Sequence, residues 1–477
     1  MNPARREDPG PSGTAESMET FRDELAIVTG EGKRKWIYPK QPRGFYTRLR
    51  TALSALLLLI LAATPFITVN GHPVMLFNVL ERKFILFGVI FGPHDFPLLG
   101  LALITLAVFI ILFTAVFGRL FCGWVCPQTV FMEMVFRKID YWIEGNHREQ
   151  RRLNESRWNA EKIRRKGSKY ALYAILSFVV ANMLLAWIIG GEALLTLVTD
   201  DPSRHLGGLT AMLAFTAGFY WIFSWFREQA CILVCPYGRL QGVLLDPHSI
   251  VIAYDHVRGE PRGKLRRGQH RSEGDCIDCK LCVDVCPTGI DIRNGTQLEC
   301  VNCTACIDAC DEVMDKIGKP RRLIRYDSAE GIASGRRRLW TPRVIGYSAV
   351  LTALAALLVV LLANRSDLDV TILRTPGMFY QDQPDGRVSN IYDVSVLNKT
   401  FDRLPVELSL RGGHGELRMI GDPLSPEPQE LAQGKVMVLL ERADLAGLST
   451  PVVIEVSTRG RPVATIATTF LGPGTVQ

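Results

Sequence analysis

Along the 477 residues, uncharged apolar runs alternate with strongly polar stretches, and the length of each run decides what it can form. Runs at 51–69, 97–117, 170–189, 209–226 and 344–362 contain no charged residue. At ~1.5 Å of rise per helical residue each can cross a hydrocarbon core about 30 Å thick. They predict five transmembrane helices. The apolar piece at 84–91 is too short to cross and is expected to lie in the membrane interface or to dip in and out of it. Beyond 366 the period changes: VSVLN, VELSL, KVMVLL, PVVIEVS and ATIATTF are short alternating or β-rich runs between Gly, Pro and Asp turns. They predict a small β-sandwich over 367–477.

Charge orients the spans. The loop 118–168 carries 11 lysines and arginines and the segment 227–343 carries 19, against two in 70–96 and one in 190–208. Basic loops stay in the cytoplasm. The N-terminus, the 118–168 loop and the 227–343 segment are therefore expected inside, and 367–477 outside. Residues 1–49 are polar and end in a basic cluster (Lys33, Arg34, Lys35, Lys40, Arg43, Arg48) without the cleavage site of a secretory signal, as a cytoplasmic tail would. The net charge of +7 belongs to segments that flank apolar runs, where it faces lipid headgroups, so nucleic-acid binding is not expected. The basic run 262–271 is read in the same way, as a solvated or headgroup-facing linker.

Cysteine spacing adds chemistry to this frame. CIDCKLCVDVC and CVNCTACIDAC both read C-x2-C-x2-C-x3-C, each cysteine offset by 24 positions from its counterpart. Three closely spaced thiolates bind three corners of an iron-sulfur cubane, and the fourth reaches the neighbouring cluster. Crossed ligation follows: Cys276, Cys279, Cys282 and Cys310 for one [4Fe-4S] cluster, and Cys286, Cys300, Cys303 and Cys306 for the other. Zinc does not need a third cysteine at this spacing, and disulfides need an oxidising compartment. Pro287 follows Cys286, but Asp311 stands where the second repeat would have its proline, a change in the turn that leaves the ligand set intact.

The four remaining cysteines form two C-x3-C-P pairs, Cys122 with Cys126 in GRLFCGWVCPQ and Cys231 with Cys235 in QACILVCPYGRLQG, each where a span returns to the cytoplasm. Cysteines four apart share a helix face, so two facing pairs offer four thiolates to a soft metal. The following proline pushes its predecessor out of helical geometry and frees a backbone carbonyl. The alternative is that they are small buried packing residues. Met132 and Met134 are read as packing residues, with thioether ligation the lesser reading. Of the histidines, His72, His94 and His205 fall outside and His147, His248, His256 and His270 inside. His248, near the second pair, is the one singled out, with a surface or satisfied role the simpler reading.

The two C-x3-C-P pairs, the paired-cluster segment, the fifth span and the external β-domain together resemble the CcoG family, also called FixG or RdxA, from about Trp36 in KRKWIYPKQPRGFYTRLR to the end. The resemblance implies a polytopic α-helical membrane protein with an inserted bacterial-type two-[4Fe-4S] ferredoxin-like segment (about 270–315) and a C-terminal immunoglobulin-like β-sandwich. The parts would be the tail 1–49, four spans over 50–226, the cytoplasmic segment 227–343, the fifth span 344–362 and the β-domain 367–477. It also implies reduction of copper, as substrate, from Cu(II) to Cu(I) for assembly of cbb3-type cytochrome oxidase. Cys122, Cys126, Cys231 and Cys235 would then be the copper site, and oxidase subunits or copper chaperones the partners. The electron donor and the existence of a homo-oligomer stay open. The membrane half also resembles the NapH and NosR type membrane ferredoxins, which implies a quinol-linked conduit to a periplasmic reductase instead. The external β-domain favours the first. A third reading is an assembly scaffold whose clusters are structural.

The charge asymmetry generates a direct test of topology: a reporter fused after Asn364 is expected to report an external location, and one after Gly268 a cytoplasmic one. A cytoplasmic signal from both fusions would mean that a span had been miscounted.

Overall fold

The computed structural model describes residues 27–28, 33–69, 71–79, 82–264, 274–412 and 415–473. Most of the tail 1–32, the basic run from 265 onwards with His270, and the side chain of His94 lie outside the described residues. The chain forms two compact units, Met1–Asn78 with Ala102–Ala355, and Val79–Leu101 with Ala356–Gln477.

Five helices are long and apolar enough to cross a membrane: Phe45–Phe66, Phe96–Phe117, Ala160–Ile189, Pro202–Phe226 and Pro342–Ala363. The protein is a multi-pass membrane protein. Three of these helices, the first, third and fourth, begin well before the apolar runs that announced them, because hydropathy marks the lipid-soluble part and not the charged turns that lead into it. The third has Asn159 as N-cap, its side chain accepting from the Lys162 amide, and runs through basic turns before its apolar part.

The apolar piece at 84–91 forms no spanning helix, as its length implied. It forms an antiparallel hairpin, Lys83–Leu86 against Val89–Phe91, with Ile85 opposite Ile90. Phe87 and Gly88 at the turn both have positive φ, 51° and 79°, as two-residue hairpin turns of the tighter hand require. Ile85 and Ile90 are buried on one face while Phe87 and Val89 are exposed. An eight-residue apolar string is ambiguous between strand and buried helix, and here the turn chemistry decided.

The second unit carries the sandwich. One sheet is ordered Glu416–Ile420, Leu431–Leu440, Val388–Asn398, Leu368–Arg374, with Gln381–Asp382 also on the central strand; the other is Glu407–Leu410, Ser449–Thr458, Arg461–Leu471. Every expected run falls in a strand apart from Val406, the first residue of VELSL. Val394, Val396, Val436, Val438, Ile454, Val456 and Phe470 meet between the sheets, fully buried or nearly so. Tyr392 fills the same layer and donates its hydroxyl to the Thr469 carbonyl at 3.0 Å, so its one polar atom is paired. Asn398, in a chance sequon with Thr400, is fully buried, and its Nδ2 donates to carbonyls of Asp402, Pro426 and Glu427.

In the first unit, Val251–Tyr254 pairs antiparallel with Ile324–Asp327. This ribbon joins the two ends of the cysteine-rich segment. Beside the third and fourth spans lies a buried ion network centred on Asp140, which is 2% exposed. It accepts from Arg227 Nη2 at 2.7 Å and from the Tyr173 hydroxyl at 2.6 Å, with Lys169 Nζ at 3.0 Å. Burial alone would raise the carboxyl pKa, but Arg227 and Lys169 hold it well below the usual range. A depressed carboxyl stabilises the fold above the ordinary carboxylate pKa and loses that contribution on acidification through its own lower value. Asp140→Ala strands two buried cations and is expected to cost about 3–5 kcal/mol, read as a large fall in the thermal unfolding midpoint in detergent. A variant as stable as the wild type would show that the network is not under tension.

Candidate metal centre

The 24-residue repeat in sequence is also a repeat in backbone. Asp278 and Lys280 have φ of 50° and 56°, and their counterparts Asn302 and Thr304 have 52° and 66°. Left-handed residues alternating between cysteines fold each C-x2-C-x2-C into a cup instead of a helix. A helix then follows each cup, Leu281–Asp284 and Ala305–Lys316. The first is short because Pro287 cannot continue it. The second, with Asp311 in place of proline, runs through Cys310 for 12 residues. Asp311 also accepts from the Arg322 amide at 2.8 Å.

The twelve thiols sort into three neighbourhoods of four. Cys276, Cys279, Cys282 and Cys310 line one cavity of about 370 Å³, counted to its open mouth, with Arg293 and Tyr254 among its walls. Burial pushes the Cys310 thiol up, and Cys282, Cys276 and Cys279 add to the shift. Cys306 is raised chiefly by burial and then by Cys303, Cys300 and Cys286. Burial likewise pushes Cys231 up to about 12, with contributions from Cys126, Cys122 and Cys235. Cys310 thus stands with the first cup and Cys286 with the second. Among the described residues no three His, Cys, Asp or Glu side chains close to the spacing of a single ion. The first neighbourhood is an open cup of thiols around a cavity, which fits a multi-atom cluster better than tetrahedral zinc, and the second repeats its spacing and backbone.

The third neighbourhood is built from breaks in helices. Cys122 lies in Leu120–Trp124, but Cys126 is extended (ψ 123°) and caps the next helix. Cys231 lies in a wide π-type turn, Ala230–Val234, and Cys235 is extended (ψ 112°) before Pro236–Leu244. The pairs therefore do not share one straight helix face, as the simple spacing argument supposed. The residue before proline has left the helical region, as expected. Both pairs close in the same way, Cys126 N to the Phe121 carbonyl at 3.0 Å and Cys235 N to the Ala230 carbonyl at 2.9 Å. Gln241, fully buried in the helix after the second pair, donates Nε2 to Cys122 Sγ at 3.4 Å and so links the two pairs. Burial pushes Cys122 up to about 11.

Sequence reasoning missed the contact that joins this neighbourhood to the second cup. Pro127 has no N–H to give the Gly123 carbonyl, and that carbonyl accepts instead from Arg50 Nε at 2.9 Å. Arg50 Nη1 donates to the Cys303 carbonyl at 2.7 Å. A Cβ on Gly123 would run into the carbonyls of Val301 and Asn302. Trp124 donates to the Tyr326 hydroxyl at 2.9 Å, which donates to the Asn302 carbonyl at 3.2 Å. Cys122 packs with Cys303 and Cys306 in one apolar cluster. Arg119 repeats the device, donating to the carbonyls of Leu298 and Gly238. Met132 is buried among Phe131, Phe136 and Tyr173, a packing role, and Met134 Sδ accepts from Thr51 Oγ1 at 3.8 Å. His248 sits in a turn held by Asp246, with its Nδ1 buried and unpartnered.

Comparison with known proteins follows these divisions. Residues 226–329 match the family described as a 4Fe-4S dicluster domain, 99–146 a 4Fe-4S binding domain, and 358–473 the Ig-like fold at the C-terminus of FixG. The chain is 36% identical to Protein RdxB of Cereibacter sphaeroides over 396 residues, covering 79% of this chain and 82% of that one. The chain belongs to the FixG/RdxA family. Protein RdxA of the same organism is 33% identical over 80% of this chain and 83% of its own. Nitrogen fixation protein FixG of Rhizobium meliloti is 29% identical over 87% of this chain and 88% of its own. This FixG/RdxA protein is thus a membrane iron-sulfur protein of electron transfer. The match at 99–146 contains Cys122 and Cys126, so the first thiol pair itself falls within an iron-sulfur family region.

The groupings give a test of ligation. The purified FixG/RdxA protein is expected to carry about eight iron atoms in two cubanes. Cys310→Ser should damage the centre shared with Cys276, Cys279 and Cys282 and spare the other, read by iron analysis and EPR. Loss of the centre shared with Cys300, Cys303 and Cys306 would reverse the crossing.

Proposed function

We propose that this protein is a cupric reductase of the bacterial inner membrane, with its clusters in the cytoplasm and its β-domain in the periplasm, supplying Cu(I) for assembly of a cbb3-type cytochrome oxidase. Cys276, Cys279, Cys282 and Cys310 hold one [4Fe-4S] cluster and Cys286, Cys300, Cys303 and Cys306 the other. Supplying single electrons is the chemistry these clusters bring when bound. Cys122, Cys126, Cys231 and Cys235 receive the copper ion, which takes one electron and passes from Cu(II) to Cu(I). Thiolates favour Cu(I), so a site made of them pulls the reduction forward. The observation that carries this reading is that Cys122 packs against the apolar cluster that contains Cys303, which supports an electron path from the second cup to the thiol pairs. Gln241 orients the Cys122 sulfur, and burial slows escape of the product ion to water. Buried thiols with raised pKa must release protons to bind metal, so loading releases acid.

A second reading has its own observation. The iron-sulfur family match over 99–146 favours a third iron-sulfur centre on the same four cysteines, with copper reduced elsewhere. Serine at all four positions separates the two. The copper reading expects copper binding and cupric reductase activity to vanish while iron content and cluster EPR stay unchanged. Unaltered copper reduction would sink it, and a loss of about four iron atoms per chain would establish the third centre instead.

A further inference from the structure

Three buried arginines stand near the two cups, and their partners differ in kind. Arg293, on the wall of the first cavity, is clasped by Asp278 and Asp291 at 2.6 Å each. That guanidinium is already matched by carboxylates, and Lys280 also lines the cavity. Arg50 and Arg119 at the second cup are 4% and 6% exposed. Their hydrogen bonds end on backbone carbonyls: Gly123 and Cys303 for Arg50, Leu298 and Gly238 for Arg119. Among the described residues no ion pair joins either arginine to a carboxylate, although Glu133 is near enough to act on Cys303. A buried guanidinium without a paired carboxylate is costly unless another anion stands close. Four thiolates make a bound cluster such an anion, and reduction adds one more negative charge to it.

Burial acts the other way. The first cup has an exposed cysteine, Cys279, beside the buried Cys276 and Cys282, whereas the second has none exposed, with Cys303 buried and Cys286, Cys300 and Cys306 half-buried. Desolvation alone would make the second site the harder to reduce. Charges inside that drier site, however, act through a lower effective dielectric than charges at the open one. Cluster potential follows local charge, hydrogen bonding and exposure together.

We propose that Arg50 and Arg119 are positioning residues that raise the reduction potential of the cluster held by Cys286, Cys300, Cys303 and Cys306. They offset its burial, so that the added electron is stabilised at the site beside the thiol pairs. The same side chains clamp the C-x3-C-P segments against that site, so one pair of residues sets both distance and potential. The inference rests on the ligand assignment proposed above and is independent of copper as substrate.

The test is an anaerobic, EPR-monitored redox titration of the full-length protein in detergent, with the two centres told apart by the Cys310→Ser variant, which removes the exposed one. Arg50→Gln is expected to shift the buried centre to more negative potential and leave the exposed centre in place. Arg50→Lys, which keeps the charge but not the paired hydrogen bonds, should restore most of the shift. Unmoved potentials at full iron content would overturn the proposal, and so would equal shifts in both centres. If Arg50→Gln fails to load the second cup, Arg119→Gln replaces it. Loss of iron in both variants would reduce the arginines to a structural role and overturn the proposal as well. If Cys310→Ser removes neither centre, the ligand assignment has failed instead. If the potentials behave as expected but copper is not reduced, only the copper reading falls.

Discussion

The membrane half and the cysteine-rich half of the first unit are held together by a backbone-to-backbone contact at Gly123, and much of the site depends on it. The carbonyls of Val301 and Asn302 occupy the space that a side chain at 123 would need. Two features of one short motif make that approach stable: glycine removes the Cβ, and Pro127 leaves the Gly123 carbonyl without its helical partner. Arg50 takes up the freed acceptor and spends its other donor on Cys303. The second motif has Ile232 in the place of Gly123. Its link to the first runs instead through Gln241 and through the Gly238 carbonyl that Arg119 binds. The two motifs look alike in sequence because both must break a helix after a cysteine, and they differ where only one must touch the second cup.

Features fixed by neighbours in sequence were legible, and features fixed by distant partners were not. The C-x2-C-x2-C-x3-C repeat announced its two cups, and the backbone repeats with it at Asp278, Lys280, Asn302 and Thr304. Proline after Cys126 and Cys235 announced a break in the helix, and it is there. The alternation of the C-terminal runs announced the strands. The hairpin at 83–91 was hidden because eight apolar residues have no period of their own; its signal was the Phe87-Gly88 turn. Arg50 was hidden because it stands at the polar end of an apolar run, where an arginine ordinarily faces headgroups. Nothing within ten residues reveals that its acceptors lie at 123 and 303.

The same limit applies to charge. Counting lysine and arginine in the loops reads orientation, since acidic residues have little influence on it. It also conceals that several of those cations, and others outside the counted loops, are not at the surface. Arg227, Lys169 and Lys166 pair with Asp140 and Glu144, while Arg34 and Arg137 pair with Glu228, all with side chains largely removed from solvent. Such a network adds little net stability over apolar packing of equal volume, but breaking one member exposes the full cost of the others. Its effect is to fix how the ends of the third and fourth spans meet the 133–144 stretch. That stretch continues directly from the first C-x3-C-P pair, so the network anchors one side of the thiol neighbourhood while Arg50 anchors the other.

The second unit uses one buried pair for a comparable end. Asp95, 5% exposed, receives Arg365 through both carboxylate oxygens, at 3.2 and 2.8 Å, with Lys399 Nζ at 3.5 Å. Arg365 also donates to the Ile90 carbonyl at 2.6 Å, on the hairpin that precedes Asp95. Burial opposes ionisation of Asp95, yet Arg365 brings its pKa below the ordinary value. The bidentate geometry matters, since a planar guanidinium fixes direction as well as distance. Arg365 stands just before the first strand of the sandwich, Leu368–Arg374, and Lys399 just after its central strand, Val388–Asn398. Because Leu368 lies opposite Asn398 in this antiparallel pair, the start of one strand and the end of its neighbour are referred together to one carboxylate on the turn before the second span. A hydrophobic contact there could slide, because apolar burial is indifferent to register. A charged clamp with one acceptor site has a single arrangement in which every donor is satisfied, and the β-module is rooted by that arrangement and not only by the covalent chain.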